Sequence, residues 1–176
     1  MTTTVDDTGL EMESVESFRA RVRDWLAANV ERSETRFGFR PSGTDEEELA
    51  FIAEMRELQA QYYDAGFAGI CFPKEYGGQG LSPAHQRAFN EEISGYRFPS
   101  VVQIPTFVPC AAVLLEFGTE EQKKEHLPKM FRGEEIWMQL LSEPSGGSDV
   151  AGALTTAVRD GEEWVLNGSK IWTSGA

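Results

Sequence analysis

Apolar residues in the first two thirds of the chain recur at helical spacing. Val15, Phe18, Val22, Trp25, Leu26 and Val30 fall at steps of three and four, which predicts a helix over residues 14–32. Glu13 and Glu16 at its start, with Arg19, Arg21 and Arg23 beyond them, suit the helix dipole. Phe37 to Gly43 reads as a loop. Thr44-Asp-Glu-Glu47 is a capping box, in which hydroxyl and carboxylate each take a free backbone N–H. Leu49, Ile52, Met55, Leu58 and Tyr62 then form one apolar stripe, closed by Gly66 as a left-handed terminator. Phe67 to Pro73 is a short apolar connector, and Tyr76 to Gly80 a glycine-rich loop. Ser82-Pro83 places an N-cap before a proline at the first helical position, and Ala84, Ala88, Phe89 and Ile93 make the buried side of a helix ending near Gly95. Residues 101–117 are apolar nearly all round, which predicts a central helix from about Thr106, buried on most faces. Thr119-Glu-Glu-Gln122 is a second capping box, opening a helix that Pro128 is expected to interrupt or restart.

After Gly133 the period changes from helical to alternating. Glu135 to Leu141 reads as a strand, Leu154 to Arg159 as another, Asp160-Gly161 as a hairpin turn and Glu163 to Leu166 as the return strand. Asn167-Gly168 is a further tight turn, and Lys170 to Ser174 opens a fourth strand. The expected fold class is α+β: an N-terminal all-α helical domain followed by the first strands of a β-barrel-like middle domain. The expected divisions are a disordered N-terminus over 1–13, the helical domain over 14–133 and the start of the β domain over 134–176. So few strands do not close a β domain around its own core, so truncation is expected.

Composition narrows the partners. With 29 acidic against 16 basic residues the formal charge is −13, which argues against nucleic acid or an anionic membrane as partner. No uninterrupted apolar run is read as approaching the length of a membrane span. Met1 to Asp7 is polar and acidic and lacks the pattern of a signal peptide. Cys71 and Cys110, far apart in apolar surroundings, read as buried free thiols of a reducing cytosol. The acidic run Asp45 to Glu48 is helix-start chemistry rather than a metal site. His85 reads as surface or cap-associated and His126 as surface. The Tyr76 to Gly80 glycines lack the lysine and the preceding strand of a phosphate-binding loop.

The stretch with chemistry in it is Trp137-Met-Gln-Leu-Leu-Ser-Glu-Pro-Ser-Gly-Gly-Ser-Asp149. A large aromatic, an amide and hydroxyls sit on one strand edge and the loop after it, a surface that suits a flat cofactor with polar edges. On spacing alone an ordinary edge strand and turn is the favoured reading. Phe72-Pro-Lys-Glu-Tyr-Gly-Gly-Gln-Gly-Leu-Ser82 lies upstream, Phe117 to Gly133 leads into it, and Lys170-Ile-Trp-Thr-Ser-Gly175 follows it. These four blocks, in this order, resemble the acyl-CoA dehydrogenase family from roughly residue 14 to the last residue, over about half of such a chain.

The resemblance implies FAD as cofactor and a reaction that introduces a Cα–Cβ double bond into an acyl-CoA thioester. It implies that Gln139, Leu141 and Ser142 line the isoalloxazine, that Trp172 packs beside it and that Ser174 lies near N5. Ser148 corresponds to a serine at the junction of flavin and acyl-CoA. Gln139 stands where an aromatic is common, and Pro-Ser-Gly-Gly-Ser-Asp stands where Pro-Gly-Ala-Gly-Ser-Asp is frequent. No catalytic residue is assigned in this chain: Glu143, at a strand end before Pro144, reads as structural, and the family's base comes from a C-terminal helical domain. The resemblance further implies an acyl-CoA substrate, an electron-transfer flavoprotein or similar acceptor, and an oligomer, either a homotetramer or paired unlike chains. It points to cytoplasmic fatty acid metabolism by beta-oxidation. The alternative is a non-catalytic subunit or assembly module that keeps the fold without the chemistry.

Overall fold

The computed structural model describes residues 12–34 and 43–173, leaving out the side chain of Val108. The chain divides into two compact units, one ending at Trp137 and the other beginning at Met138. The loop expected at Phe37 to Gly43 falls almost wholly outside the described residues. So does the expected disordered N-terminus, apart from Met12 and Glu13. Glu13 is held: its carboxylate pairs with Arg21 at 3.0 Å, and its carbonyl lies 2.8 Å from His85 Nε2.

The first unit is helical. Helix α1 runs over Val15–Asn29, with Ser14 Oγ accepting from the Ser17 N–H. Helix α2 runs over Asp45–Asp64 and has both halves of the Thr44–Glu47 capping box. Helix α3 covers Pro83–Glu92. Phe18, Val22 and Leu26 of α1 are fully buried against Tyr62, Phe67 and Phe89. At the rim of that core, Glu92 of α3 accepts from Arg19 at 3.0 Å and Arg23 at 2.8 Å, and the pairing, Arg23 foremost, holds its carboxyl below the usual range. The apolar stripe of α2 is shifted from expectation. Leu49 is 71% exposed, whereas the polar Gln59 is fully buried. Cys71 is exposed rather than buried, because the connector turns its Phe67, Ala68 and Ile70 inward instead. His85 is buried and cap-associated: Nδ1 lies 2.8 Å from Ser82 Oγ and accepts from the Ser82 N–H.

A second cluster gathers Ala111, Leu114, Leu127, Met130 and Phe131. Here the apolar run departs most from its sequence reading. It is helical from Ser100, through α4 (Ser100–Pro105), a π-helical stretch over Thr106–Ala111 and α5 (Ala112–Phe117). Pro109 lacks an N–H and would clash with the Pro105 carbonyl in a regular α-helix; widening to the π form relieves this. The Pro105 carbonyl also accepts from the Cys110 thiol at 3.5 Å. The run is not buried on most faces, since Ile104, Val113 and Phe117 are exposed. Contrary to the sequence reading, Ser100–Phe117 is an 18-residue helix apolar enough, by length and composition, to cross a membrane. Val102, Thr106, Ala111 and Leu114 are nevertheless packed within this unit.

Helix α6 (Glu120–Arg132) runs unbroken through Pro128, which neither interrupts nor restarts it. A capping box at Thr119 and left-handed Gly133 fix its ends, and Leu127, Met130 and Phe131 are fully buried, which offsets the hydrogen bond that Pro128 removes. His126 is half-buried rather than at the surface: Nδ1 lies 2.9 Å from Glu135, and the ring packs on Trp137 at 5.1 Å.

The second unit contains an antiparallel hairpin, β1 (Thr156–Asp160) and β2 (Glu163–Asn167), paired from Thr156↔Asn167 to Asp160↔Glu163. Gly161 turns it with φ +64. Both faces of both strands are exposed. The strands expected at Glu135–Leu141 and Lys170–Ser174 are not formed among the described residues. Among the described residues neither segment has a continuous ladder; the Ile171 N–H donates to the carbonyl of Ser142, just past the first segment, at 2.9 Å. Nor is Asn167-Gly168 a tight turn; a Cβ at Gly168 would lie 2.2 Å from Thr155 Oγ1, so close packing accounts for that glycine.

Candidate functional site

Three separate stretches of the second unit meet at the Glu143 carboxylate. Its residue is only 5% exposed. Oε1 accepts from Lys170 Nζ at 2.7 Å and from the Thr155 N–H at 2.9 Å, and Oε2 accepts from the Leu154 N–H at 2.5 Å. Lys170 foremost, with the two backbone donors, holds the carboxyl down at about 2. Pro144 follows directly, and the chain reverses at once: the Glu143 and Gly146 backbones exchange hydrogen bonds of 3.0 Å in both directions. A carboxylate so occupied is an anchor and not a proton acceptor.

The anchor aligns two stretches of chain. Lys170 Nζ also donates to the Leu141 carbonyl at 3.2 Å, and the Ile171 N–H donates to Ser142. Residues 141–143 therefore lie beside residues 170–171. Leu141 is 46% exposed and Trp172, one residue beyond this pairing, is 87% exposed. Trp172 is the only described non-glycine residue with positive φ, at 58°. A bulky side chain in the left-handed region costs about 1–2 kcal/mol, and such strain collects at functional sites.

The sequence-predicted residues thus fare unequally. Leu141, Ser142 and Trp172 belong to two stretches that the structure brings side by side. Gln139 is exposed on the same extended stretch. Ser148 is exposed on the glycine-rich loop, whose Gly147 returns to Ser142: a Cβ there would lie 3.6 Å from Ser142 Oγ. Ser174 lies outside the described residues. Sequence reasoning missed Lys170 as the partner of Glu143, since nothing local signals a pairing across 27 positions. Among the described residues no group of three or more His, Cys, Asp or Glu side chains is placed to hold a metal ion.

Fold and site define a helical unit followed by the start of a β unit whose exposed edge carries apolar and hydroxyl groups. Residues 12–134 match the N-terminal domain of acyl-CoA dehydrogenases and residues 139–176 their middle domain. The chain belongs to the acyl-CoA dehydrogenase family. It is 39% identical over 163 residues to the acyl-CoA dehydrogenase IpdE1 of Mycobacterium tuberculosis, covering 93% of this chain and 42% of the relative. It is 40% identical over 122 residues to (2S)-methylsuccinyl-CoA dehydrogenase of Cereibacter sphaeroides, covering 68% of this chain and 22% of that protein. Among solved structures, the ChsE4–ChsE5 complex of Mycobacterium tuberculosis aligns with TM-score 0.64 at 32% identity, over 99% of this chain and 41% of that one. An acyl-CoA dehydrogenase of Bacillus anthracis complexed with FAD aligns with TM-score 0.61 at 28% identity, over 90% of this chain and 26% of that one. The chain spans about two fifths of the length of the first relatives it matches.

Proposed function

We propose that this chain is the FAD-holding N-terminal part of an acyl-CoA dehydrogenase that introduces a Cα–Cβ double bond into an acyl-CoA thioester. The observation that carries the reading is the 2.9 Å bond from Ile171 to Ser142, which sets the Gln139–Ser142 stretch beside the stretch ending in exposed Trp172. The residues fit the group: Leu141 and Trp172 present bare apolar surface for a flat ring, and Ser142 and Gln139 supply hydroxyl and amide for its heteroatoms. Ser174 is proposed to add a hydroxyl near N5, and Ser148 to meet the substrate where it joins the flavin.

The chemistry needs a base for the α-proton, an acceptor for the β-hydride and donors that polarise the thioester carbonyl. Bound flavin supplies the hydride acceptor. This chain's residues hold and orient it. Glu143 is not free to act as base, because its lone pairs are occupied by Lys170 and the Leu154 and Thr155 N–H groups. The base is proposed to come from protein beyond this chain, as the share of the relatives covered allows.

An electron-transfer flavoprotein is proposed as acceptor. A solved neighbour described as an electron transferring flavoprotein of Acidaminococcus fermentans supports this, at 32% identity and TM-score 0.64. Assembly of paired unlike chains is supported by the two-component ChsE4–ChsE5 neighbour. A cytoplasmic setting in beta-oxidation rests on the two free thiols and the family.

The test is purification of the full-length protein, its flavin spectrum, and turnover of an acyl-CoA panel with an artificial electron acceptor. FAD that co-purifies, with turnover on part of the panel, is expected. A protein that neither carries nor takes up FAD refutes the reading. FAD binding without turnover on any acyl-CoA favours a subunit that keeps the fold without the chemistry.

A further inference from the structure

We infer that Lys170 is a positioning residue for the flavin: its ammonium sets the spacing between the two stretches that hold the cofactor, an inference that rests on the function proposed above. Lys170 reaches both partners of the first stretch, the Glu143 carboxylate at 2.7 Å and the Leu141 carbonyl at 3.2 Å. Its chain neighbour Ile171 donates to Ser142, the residue between them, at 2.9 Å. Three consecutive residues are thereby tied to two. The pair is largely withdrawn from water, with 5% of the Glu143 side chain and 22% of the Lys170 side chain exposed. Glu143 in turn binds the Leu154 and Thr155 N–H groups just ahead of β1, so the same carboxylate places the hairpin.

Physics makes this arrangement sensitive to Lys170 in particular. The two residues after it are Ile171, whose N–H makes the cross-link, and Trp172, whose backbone is held at φ 58. An unpaired extended segment would relax a tryptophan out of that region, because nothing local favours it there. The ammonium supplies what a single backbone bond does not: an ionic and a carbonyl contact that fix the position and direction of residues 170–172. Removing one partner of a buried ion pair leaves the other charge uncompensated, so the geometry rearranges rather than merely weakening. Loss of Lys170 would therefore misplace Trp172 and Leu141 against each other without touching the flavin directly.

The test compares Lys170→Met and Lys170→Arg with wild type in the full-length protein. Three readouts are followed: FAD affinity, the absorption and circular dichroism of bound flavin, and hydrogen exchange at the Ile171 amide. Expected for Lys170→Met are roughly tenfold or greater losses both in FAD affinity and in Ile171 protection, with an altered flavin spectrum and unchanged protection of α6. Arginine keeps the charge and should recover most of each loss. Wild-type flavin spectrum and affinity in Lys170→Met, with Ile171 exchanging freely, would overturn the positioning role. So would unchanged Ile171 protection. If wild-type protein binds no FAD, the proposed function fails; Ile171 exchange in Lys170→Met then still decides whether the lysine orders these stretches.

Discussion

Replacing Gln59 by leucine tests whether a buried amide, and not only apolar packing, holds α2 to α6. Gln59 is fully buried. Its Nε2 donates to the Phe131 carbonyl at 2.5 Å, and its Oε1 accepts from Gln103 Nε2 at 2.7 Å. The Phe131 carbonyl lies in the last turn of α6, and the N–H four residues on, that of Glu135, is turned to Lys129 instead. Leucine would leave that carbonyl buried and unpaired, at a cost of about 1–3 kcal/mol. Gln103 is only half-buried and can turn its amide to water, so its loss is smaller, about 0.5–1 kcal/mol. Leucine's added apolar contact recovers part of this, and a net loss of about 2 kcal/mol is expected. Glutamate should be worse, by about 3–5 kcal/mol in all, because it sets a buried charge against a carbonyl oxygen. The assay is urea unfolding followed by the helical circular dichroism of the purified protein, with midpoints compared only where the slope is unchanged. Leucine within about 0.5 kcal/mol of wild type, or glutamate no worse than leucine at neutral pH, would refute the argument.

Two shorter predictions concern the second unit. The Glu143 carboxyl, lowered by Lys170 from its ordinary 4.5 to about 2, contributes stability that is complete above about 4.5 and is lost as pH falls toward about 2. Order of residues 141–143 and 170–171, read by NMR, should fade over that window, and Glu143→Gln should abolish the pH dependence there. The second is limited proteolysis of the 176-residue chain: both hairpin strands are exposed on both faces, so first cuts should fall beyond Trp137 while α1, α2 and α6 persist; first cuts within those helices would contradict it.

The parts of this protein that its sequence determined are those ruled by near neighbours. Both Thr capping boxes, the proline after Ser82 and the left-handed glycines at positions 66 and 161 act across a few residues, and each appears where pattern predicts. The α1 stripe forms as expected because period fixes which side of a helix is apolar, and the hairpin because Gly161 supplies the left-handed turn between two short strands. The order of four separated motifs was likewise legible, and with it the family.

Tertiary structure decided the rest. Whether Leu49 or Gln59 faces the core depends on where Phe131 and Gln103 arrive from other helices. Pro128 stays inside α6 because three buried neighbours offset its missing bond, and Pro109 is absorbed by a π turn because widening the helix relieves its clash with the Pro105 carbonyl. At the candidate site, local pattern named Leu141, Ser142 and Trp172 only through resemblance. Their juxtaposition comes from a lysine and a glutamate 27 positions apart, and from a backbone bond that no period encodes. Electrostatic and hydrogen-bond partners distant in sequence carry no local signature, so only folding reveals that Glu143 is an anchor and Lys170 its counterpart.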